Sequence, residues 1–506
     1  MAQQRSKSEL LYLTSEYIDA CYPIYEKLLS ELVTFMSISD DPVHRIDVIK
    51  AIRWCGTRLE NIGCKVTYLS RSNKEEFQKC DAENLQVPFP ESLIAELGND
   101  PLKPTLLLYG HVDIKAISVR DEPLADPWSL NICGDYYEAH GLNDGKAGLL
   151  CWIAALDAIY KTSILPLNIR FFVEGLGNRS SETVESQLNE LRSESLHRVD
   201  YAALADGFWL GEQQPCLIYG GRGIVYFYLT VFGPERDLHS GLHGGAVTEP
   251  MQDLVYIIQS LVDKTGHVLI QDFYQNVDDP DSTELTRWKD LDFSAGKYEA
   301  QTGASGFYTE DKLSLLKRRW VQPELTVHKI EDMDRETFTH RRIPKCAKAK
   351  FSVRTVMRMS MEKTIDRVLN HIEQQIASRN SKNQVEIQVF RGGDPFLNDL
   401  DCINYTCAKE ALTSNWGVRP DLIREGATLP TVSIIERTTS RDVCVFPLAF
   451  YSNAEASNNR LPIVNVKKAM KVFASYCIHL GTAYAEMRKI RDARQQKRKE
   501  IRDMLI

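Results

Sequence analysis

The first residues whose types and spacing could do chemistry are a histidine and an aspartate at the end of an apolar run. In LLLYGHVDI, His111 and Asp113 stand two residues apart, so on a strand both side chains point to the same face. That spacing suits one metal ligand and a supporting carboxylate. Further along, GLNDGKAGLL carries Asp144 in a glycine-flanked turn, and YAALADGFWLG carries Asp206 at a strand end. Imidazole and carboxylates together suit Zn, Mn or Co.

Each of these signals is weak when it is taken alone. A His-x-Asp triplet arises by chance, and an aspartate that starts a helix is more often an N-cap residue than a ligand. The same residues could also form a hydrogen-bonded polar cluster without a metal. Their order along the chain and their matching flanks favour a metal site, and the polar-cluster interpretation stays open.

The elements that must position these residues are strands alternating with helices. KVTYL, TLLLYG, NIRFFVEG and YAALAD are short and strand-like, and each ends in Gly or Asp or just before a polar turn. Residues 16–36 and 45–61 carry apolar side chains at helical spacing, and GLLCWIAALDAI predicts a helix directly after Asp144. The pattern predicts an α/β fold, in which open sheets place sites at strand C-termini.

A second region begins near CLIYGGRGIVYFYLTVFG, where the alternation over 222–232 predicts a strand with one exposed face. EPMQDLVYIIQSLV predicts a helix and KAKFSVRTV a strand, and the region ends near RGGDPF. From residue 396 onward, NYTCAKEAL predicts a helix, TVSIIER a strand, and a long terminal helix starts near Val464. One α/β domain interrupted by an inserted domain explains this order better than three independent units.

Composition excludes several classes of function. The 506 residues are 43% hydrophobic, and 61 basic against 69 acidic groups give a net charge of −8, so nucleic acid is not expected as a partner. No apolar run reaches the ~18 residues of a membrane span. The twelve cysteines are scattered without zinc-finger or C-x-x-C spacing, which favours a reducing, cytoplasmic compartment. The tail 487–506 carries eight basic residues between 488 and 502, which predicts a solvated helix end.

From about residue 20 to 485, the chain resembles the cytosolic nonspecific dipeptidase and carnosinase branch of the two-metal exopeptidases. This family also includes aminoacylases and glutamate carboxypeptidases. The motifs that carry the resemblance are YGHVDI, DPWSL with EAHGLNDGKAG, EGLGNRSSE, ADGFWLG, YGGRGIVYF, ERDLHSGLHGGAV, RRIP with KFSVR, GGDPF and REGATLP.

The resemblance implies an α/β metallo-exopeptidase fold with two domains. A mixed-sheet catalytic domain, residues 1–218 and 396–486, is expected to be interrupted by a smaller α+β lid and dimerisation domain, residues 219–395. It also implies hydrolysis of dipeptides, a dimer, and two metal ions bridged by one aspartate.

Site roles follow from the resemblance residue by residue. His111, Asp144 and Asp206 match the ligands of one metal, and Asp144 matches the bridging aspartate. Asp113 matches the carboxylate that orients the ligand histidine. In the lid domain, His239 matches a histidine that stabilises the oxyanion, often in the partner subunit's site. Arg354 matches the arginine that binds the substrate carboxylate, and the Gly426–Thr428 turn matches the stretch that lines the substrate pocket, so Thr428 is expected to bind substrate.

The chain departs from the family at the positions that handle protons and the second metal. Where the family has Glu-Gly-Met-Glu-Glu-Ser-Gly-Ser, this chain has EGLGNRSS, so the general base becomes Gly177 and a second-metal carboxylate becomes Asn178. Glu455 stands where the family's last ligand is a histidine. His140 replaces an arginine, and His479 lies inside a helical run, where it cannot take the missing ligand's place.

These departures predict one divalent metal, Zn or Mn, and no second metal. The first hypothesis is a dipeptidase-like protein that has lost peptidase activity or keeps little of it, and that still binds a peptide-like ligand. A second hypothesis is an active single-metal dipeptidase or amidohydrolase with a relocated base, for which Glu174, Glu182 and Glu455 are the nearby carboxylates. A third is a non-catalytic heterodimer partner of an active paralogue.

Overall fold

The computed structural model describes residues 6–70, 77–79, 86–117, 126–162, 165–177, 181–331, 341–450 and 460–504. The helices are α1 Lys7–Val33, α2 Arg45–Asn61, α3 Ala147–Thr162, α4 Ser181–Leu191, α5 Ser240–His243, α6 Pro250–Gln259, α7 Ser282–Lys289, α8 Ala295–Thr302, α9 Lys312–Trp320, α10 Met361–Arg379, α11 Ile403–Trp416, α12 Pro430–Thr439 and α13 Ile463–Met504. None of the described helices is both long enough and apolar enough to cross a membrane.

The strands are short, and most of them belong to two sheets. They are β1 Lys65–Leu69, β2 Phe77–Lys79, β3 Gln86–Pro88, β4 Ser92–Leu97, β5 Thr105–His111, β6 Asn131–Cys133, β7 Tyr136–Glu138, β8 Asn168–Glu174, β9 Tyr201–Leu204, β10 Phe208–Trp209, β11 Cys216–Gly221, β12 Gly223–Phe232, β13 Leu238–His239, β14 Glu324–Glu331, β15 Arg342–Ile343, β16 Cys346–Thr355, β17 Gln384–Gly393, β18 Phe396–Leu397, β19 Asp421–Glu425, β20 Val443–Val445, β21 Ala449–Phe450 and β22 Arg460–Pro462.

The larger sheet is mixed and follows the order β1-β4-β8-β5-β9-β20-β11-β18, with β19 beside β11. Its centre is parallel, since β5 pairs in parallel with β8 and β9, and β20 with β9. Its strands are covered on both faces. Leu106 and Leu108 face a core shared with α1, α3 and α13, whereas Leu107 faces a second core shared with α4 and α12. This alternation explains why the β5 sequence is continuously apolar.

The smaller sheet is antiparallel, in the order β14-β16-β12-β17. Along β12, Val225, Phe227, Leu229 and Val231 are buried with residues of α6 and α10, and the intervening side chains are more exposed, apart from Ile224. The predicted one-sided strand is therefore confirmed. The predicted helices within 16–36, 45–61 and after Asp144 are confirmed as well.

The segment TVSIIER is a helix, so the predicted strand is wrong. Pro430 occupies the first turn of α12, where its fixed φ angle suits a helix start. Val432, Ile435 and Thr438 follow at intervals of three and are buried. The run of β-branched residues favours a strand locally, but packing against the large sheet and α4 decides for the helix.

Part of the chain between β12 and β14 packs against the large sheet. Trp288 of α7 and Trp320 of α9 are buried in the same cluster as Val432 and Val443. Their rings form an edge-to-face pair with centroids 5.0 Å apart. The segment α7–α9 therefore covers one end of the large sheet, although its neighbours in the chain belong to the small sheet.

Candidate active site

Three neighbouring parallel strands end at one edge of the large sheet and bring their terminal polar residues to that edge. In the register of β5 and β8, His111 lies opposite Glu174. Asp206 stands two residues after the end of β9, the other neighbour of β5. The sheet edge thus collects an imidazole and two carboxylates that are far apart in sequence.

A carboxylate holds the His111 ring from one side. Asp113 is fully buried, and its Oδ1 lies 3.3 Å from Nδ1 of His111. The main-chain oxygen of Asp113 also lies 3.1 Å from that nitrogen. The Oγ of Ser39 donates to Oδ2 of Asp113 at 2.7 Å. Because Asp113 is fixed by these contacts, it can set the orientation of the imidazole, which is the role expected from the sequence.

The turn that carries Asp144 lies over the other side of the ring. Residues Leu142–Lys146 form one π-helical turn before α3, and Asp144 is inside that turn, so it is not the N-cap residue of α3. Gly145 has φ +92°, and a Cβ atom there would stand 2.9 Å from Nε2 of His111. Only glycine meets both conditions at this position. The side chain of Asp144 lies outside the described part of the structure.

Asp206 lies next to the same turn. Its Oδ1 accepts a hydrogen bond of 2.6 Å from the backbone N–H of Gly207. Asp206 and Asn143 line one small cavity together with Gly148 and Ala205. The structure therefore brings His111, the Asp144 turn and Asp206 into one neighbourhood.

The donor chemistry of this neighbourhood fits one divalent metal. His111, Asp144 and Asp206 would supply one imidazole and two carboxylates, a set that suits Zn or Mn. Among the described side chains, no group of three His, Cys, Asp or Glu residues is placed to hold a metal ion, and the Asp144 side chain is not one of them. The ligand assignment therefore stays a prediction.

The position expected for the general base is closed by packing. The backbone N–H of Gly177 donates to Oδ1 of Asp113 at 2.8 Å. A Cβ atom on Gly177 would stand 2.8 Å from Oε1 of Glu174 and 2.9 Å from Cβ of His111. These distances are below those of real contacts, so a side chain at residue 177 requires its neighbours to move. Asn178 and Glu455 lie outside the described residues.

Glu174 is the carboxylate nearest to the closed position. Its side chain is 2% exposed, and the hydroxyl of Tyr109 donates a hydrogen bond to it. Burial raises the pKa of Glu174 to about 8, and the negative charge of Asp113 adds to the rise, whereas the bond from Tyr109 opposes it. The sequence identified Glu174 as a nearby carboxylate but did not reveal this burial.

Two predicted substrate-binding residues meet across a long distance in sequence. Nη1 of Arg354 on β16 donates a hydrogen bond of 2.8 Å to Oγ1 of Thr428. Burial lowers the pKa of Arg354 from its usual value, but a guanidinium group stays charged at neutral pH. Arg354 and Thr428 together form a polar, positively charged group, the ligand corner. Its charge and hydrogen-bond donors suit a carboxylate.

The histidines singled out in the sequence lie in other surroundings. His239 is exposed on β13, and its Nδ1 accepts a hydrogen bond of 3.1 Å from the N–H of Gly241, so the described contacts do not bring it to His111. Nε2 of His140 lies 2.7 Å from the main-chain oxygen of Lys115. His479 on α13 packs beside α11, where its Nδ1 lies 2.7 Å from Oε2 of Glu410.

Sequence reasoning missed two residues next to the Arg354 corner. Nε of Arg222 donates to the main-chain oxygen of Gly426 at 2.9 Å, and burial together with the charge of Arg354 lowers the pKa of Arg222 to about 10. Oε1 of Glu425 accepts from the N–H of Ala427 at 3.1 Å. Both residues stand inside motifs that carried the family resemblance, YGGRGIVYF and REGATLP, and this was the available signal.

Comparison with known proteins gives consistent similarities. Residues 219–380 match the family model of a peptidase dimerisation domain. The chain is 32% identical over 482 residues to the Beta-Ala-His dipeptidase of Mus musculus, covering 94% of this chain and 97% of the relative. It is 30% identical over 477 residues to the Cys-Gly metallodipeptidase dug1 of Schizosaccharomyces pombe, covering 92% and 98%. The crystal structure of human carnosine dipeptidase 1 superposes with a TM-score of 0.84 at 29% identity, covering 94% and 99%. The predicted two-domain mixed α/β fold is confirmed.

Proposed function

We propose that this chain, which belongs to the metallopeptidase family of the Beta-Ala-His and Cys-Gly dipeptidases, is a dipeptide-binding hydrolase with strongly reduced turnover. The observation that carries the proposal is the packing around Gly177, where a base carboxylate would require His111 and Glu174 to move. The similarity to named dipeptidases supports the dipeptide as substrate class.

In this proposal, two groups of residues hold the ligand and the metal. The guanidinium of Arg354 and the hydroxyl of Thr428 receive the carboxylate of the dipeptide. His111, Asp144 and Asp206 hold one divalent ion, Zn or Mn, and Asp113 keeps the His111 ring in place. A bound divalent ion in such a site polarises a carbonyl group and activates water. A second metal is not expected, because Asn178 is neutral and Glu455 stands in place of a histidine.

The step of hydrolysis that this chain lacks in the proposal is proton transfer. Peptide hydrolysis requires a group that takes a proton from the attacking water and delivers it to the leaving amine. Residue 177 has no side chain to do so, and general acid–base catalysis is typically worth about 10² to 10⁴ in rate. We therefore expect turnover lower than that of an intact relative by about this factor.

The second candidate function is a dipeptidase of ordinary activity with a relocated base. It is favoured by the relatives, which are named as dipeptidases, and by Glu174, whose carboxylate lies next to the vacant position and to His111. In this candidate, Glu174 takes the proton that residue 177 cannot take. Glu174→Gln would then abolish hydrolysis, whereas in the first candidate it would change a low rate little.

The test is a direct measurement of turnover and metal content. The purified chain is loaded with Mn or Zn and assayed with β-alanyl-histidine and cysteinyl-glycine beside an intact relative. Turnover reduced by about 10² or more at saturating substrate, with about one ion per chain, supports the proposal. Turnover near the ~10 s⁻¹ that is common among enzymes would refute it in favour of the second candidate.

Domain organisation and assembly remain part of the proposal. The match of residues 219–380 to a dimerisation domain supports an inserted lid and dimerisation domain over 219–395, between catalytic parts at 1–218 and 396–486 and before the tail 487–506. A homodimer is proposed, with His239 reaching the partner's site. Native mass measurement tests the assembly, and co-purification with a paralogue would point to the heterodimer alternative.

A cytoplasmic location is also proposed. The cysteines among the described residues are all free thiols, and most of them are buried. Unpaired buried thiols are typical of proteins that stay in a reducing compartment. Fractionation of cells with an antibody against the chain tests this expectation.

A further inference from the structure

We propose that Glu284 on α7 is a positioning residue for the turn Gly426–Thr428, and that its ion pair with Arg424 sets the shape of the ligand corner. The inference rests on the proposed function, in which Arg354 and Thr428 receive the ligand carboxylate. Glu284 acts through Arg424 and the strand that carries it, so its role is to hold other groups in place.

The ion pair is buried and bidentate. Nε of Arg424 donates to Oε1 of Glu284 at 2.7 Å, and Nη2 donates to Oε2 at 2.8 Å. The side chains of Glu284 and Arg424 are only 8% and 12% exposed. The hydroxyl of Tyr219 on β11 also donates to Glu284, and the indole N–H of Trp288 donates to that hydroxyl at 3.2 Å. Glu284 and Trp288 of α7 therefore connect β19 and β11 through hydrogen bonds.

The charge of Arg424 is maintained although its side chain is buried. Burial alone would lower the pKa of Arg424, but the hydrogen bonds and the charge of Glu284 outweigh burial and raise it. A buried guanidinium that lost its partner would be left uncompensated. Arg424 therefore stays paired with Glu284, and the position of Glu284 fixes that of Arg424.

The turn begins directly after the strand that Arg424 fixes. β19 ends at Glu425, whose carboxylate accepts from the N–H of Ala427 at 3.1 Å. The main-chain oxygen of Gly426 accepts from Arg222, and the hydroxyl of Thr428 accepts from Arg354. Apart from the two arginines, the residues in these bonds are the last residue of β19 and the three that follow it. The geometry of the bonds therefore depends on where β19 ends.

The segment α7–α9 also touches the turn itself. A Cβ atom on Gly426 would stand 2.9 Å from the main-chain oxygen of Arg319, near the end of α9. The turn is therefore enclosed on one side by Arg222, which connects β11 to β12, and by Arg354 of the small sheet, and on the other side by the α7–α9 segment. Residues 426 and 427 are Gly and Ala, which have no polar side chain to hold the turn by themselves.

A purely structural role for Glu284 makes a different prediction. In that case, any loss of ligand affinity would scale with the loss of global stability. Asp253 provides a matched control, because it is 2% exposed and forms an ion pair with Arg379 in another part of the molecule. Removing its charge weakens the fold without disturbing β19.

The experiment compares Glu284→Gln, Arg424→Lys and Asp253→Asn in the full chain loaded with Mn. Calorimetry measures binding of β-alanyl-histidine and cysteinyl-glycine, thermal unfolding measures stability, and hydrogen exchange measures the amides of Ala427 and Thr428. We expect Glu284→Gln to weaken dipeptide binding by about ten-fold or more and to speed exchange in the turn. Asp253→Asn should leave both unchanged at a similar loss of thermal stability, and Arg424→Lys should be intermediate.

Equal affinity and equal turn exchange in Glu284→Gln and the unaltered chain would overturn the proposal. The positioning role is also refuted if Asp253→Asn loses as much affinity as Glu284→Gln at equal stability. If the unaltered chain binds neither dipeptide, the proposed function fails, and the exchange rates of the turn alone decide the positioning role. If Glu284→Gln does not fold, Arg424→Lys supplies the same comparison.

Discussion

The backbone N–H of Gly177 donates a 2.8 Å hydrogen bond to Oδ1 of Asp113, the same oxygen that lies 3.3 Å from Nδ1 of His111. A residue without a side chain thus occupies the base position and also contributes to holding the histidine. The missing base at Gly177 and the orientation of His111, the candidate metal ligand, are therefore linked through Asp113. It also limits what can be put back at residue 177.

Gly177→Ala is expected to destabilise the fold. The added Cβ would stand 2.9 Å from Cβ of His111, and overpacking of this kind typically costs about 1–3 kcal/mol. Chemical denaturation measures the free energy of unfolding. Gly296→Ala on α8, where the nearest atom to an added Cβ is 4.0 Å away, is the matched control and should be neutral or stabilising. Equal stability in both variants would show that the space at residue 177 is open.

Arg354→Lys is expected to weaken dipeptide binding more than it lowers the rate of any turnover. Lysine cannot reproduce the bidentate geometry of a guanidinium, and hydrogen bonds to charged groups are worth about 1.5–3 kcal/mol, or roughly ten- to a hundred-fold in affinity. Thr428→Val should produce a smaller loss. Arg391→Lys, an exposed residue on β17 of the same sheet that pairs with Glu362, should have no effect on binding measured by calorimetry.

Asp113→Asn is expected to reduce metal affinity. An amide cannot accept from both Ser39 and Gly177 as the carboxylate does, so the imidazole of His111 loses its fixed orientation. Loss of such supporting groups typically costs about 10- to 100-fold in metal affinity. Titration with Mn or Zn, followed by elemental analysis, measures the change. Asp47→Asn, at a partly exposed position of α2 that pairs with Lys50, should bind metal as the unaltered chain does. Unchanged affinity in Asp113→Asn would count against the proposed ligand set.

Glu436→Gln is expected to stabilise the protein at neutral and alkaline pH. Burial, with a further contribution from the charge of Asp442, raises the pKa of Glu436 to about 8 in the folded state, whereas an unfolded glutamate titrates near ~4.3. The folded state therefore binds the proton more tightly, and stability falls as pH rises from about 4.3 through about 8. From these two pKa values the variant should gain up to about 4–5 kcal/mol at pH 8 and nothing near pH 4. Glu190→Gln, exposed on α4, is the control for denaturation series across pH.

Much of the fold was accessible from short-range patterns. Continuous apolar runs predicted β5 and β8, and helical spacing predicted α2 and α3, because these elements bury side chains in periods that can be read locally. The wrong prediction of a strand at TVSIIER came from the same kind of short-range pattern. Val432, Ile434 and Ile435 favour a strand when seen alone, and only packing against α4 and the sheet makes that segment a helix.

The sequence by itself determined which chemical groups are present: His111, Asp113, Asp144 and Asp206 in order, and no carboxylate at residue 177. Tertiary structure alone decided that a side chain at residue 177 would meet Glu174 and His111, that Arg354 meets Thr428, and that α7 is joined to β19 through Glu284 and Arg424. The physical reason is that residue identity is written along the chain, whereas close contact between distant residues depends on how whole strands and helices pack.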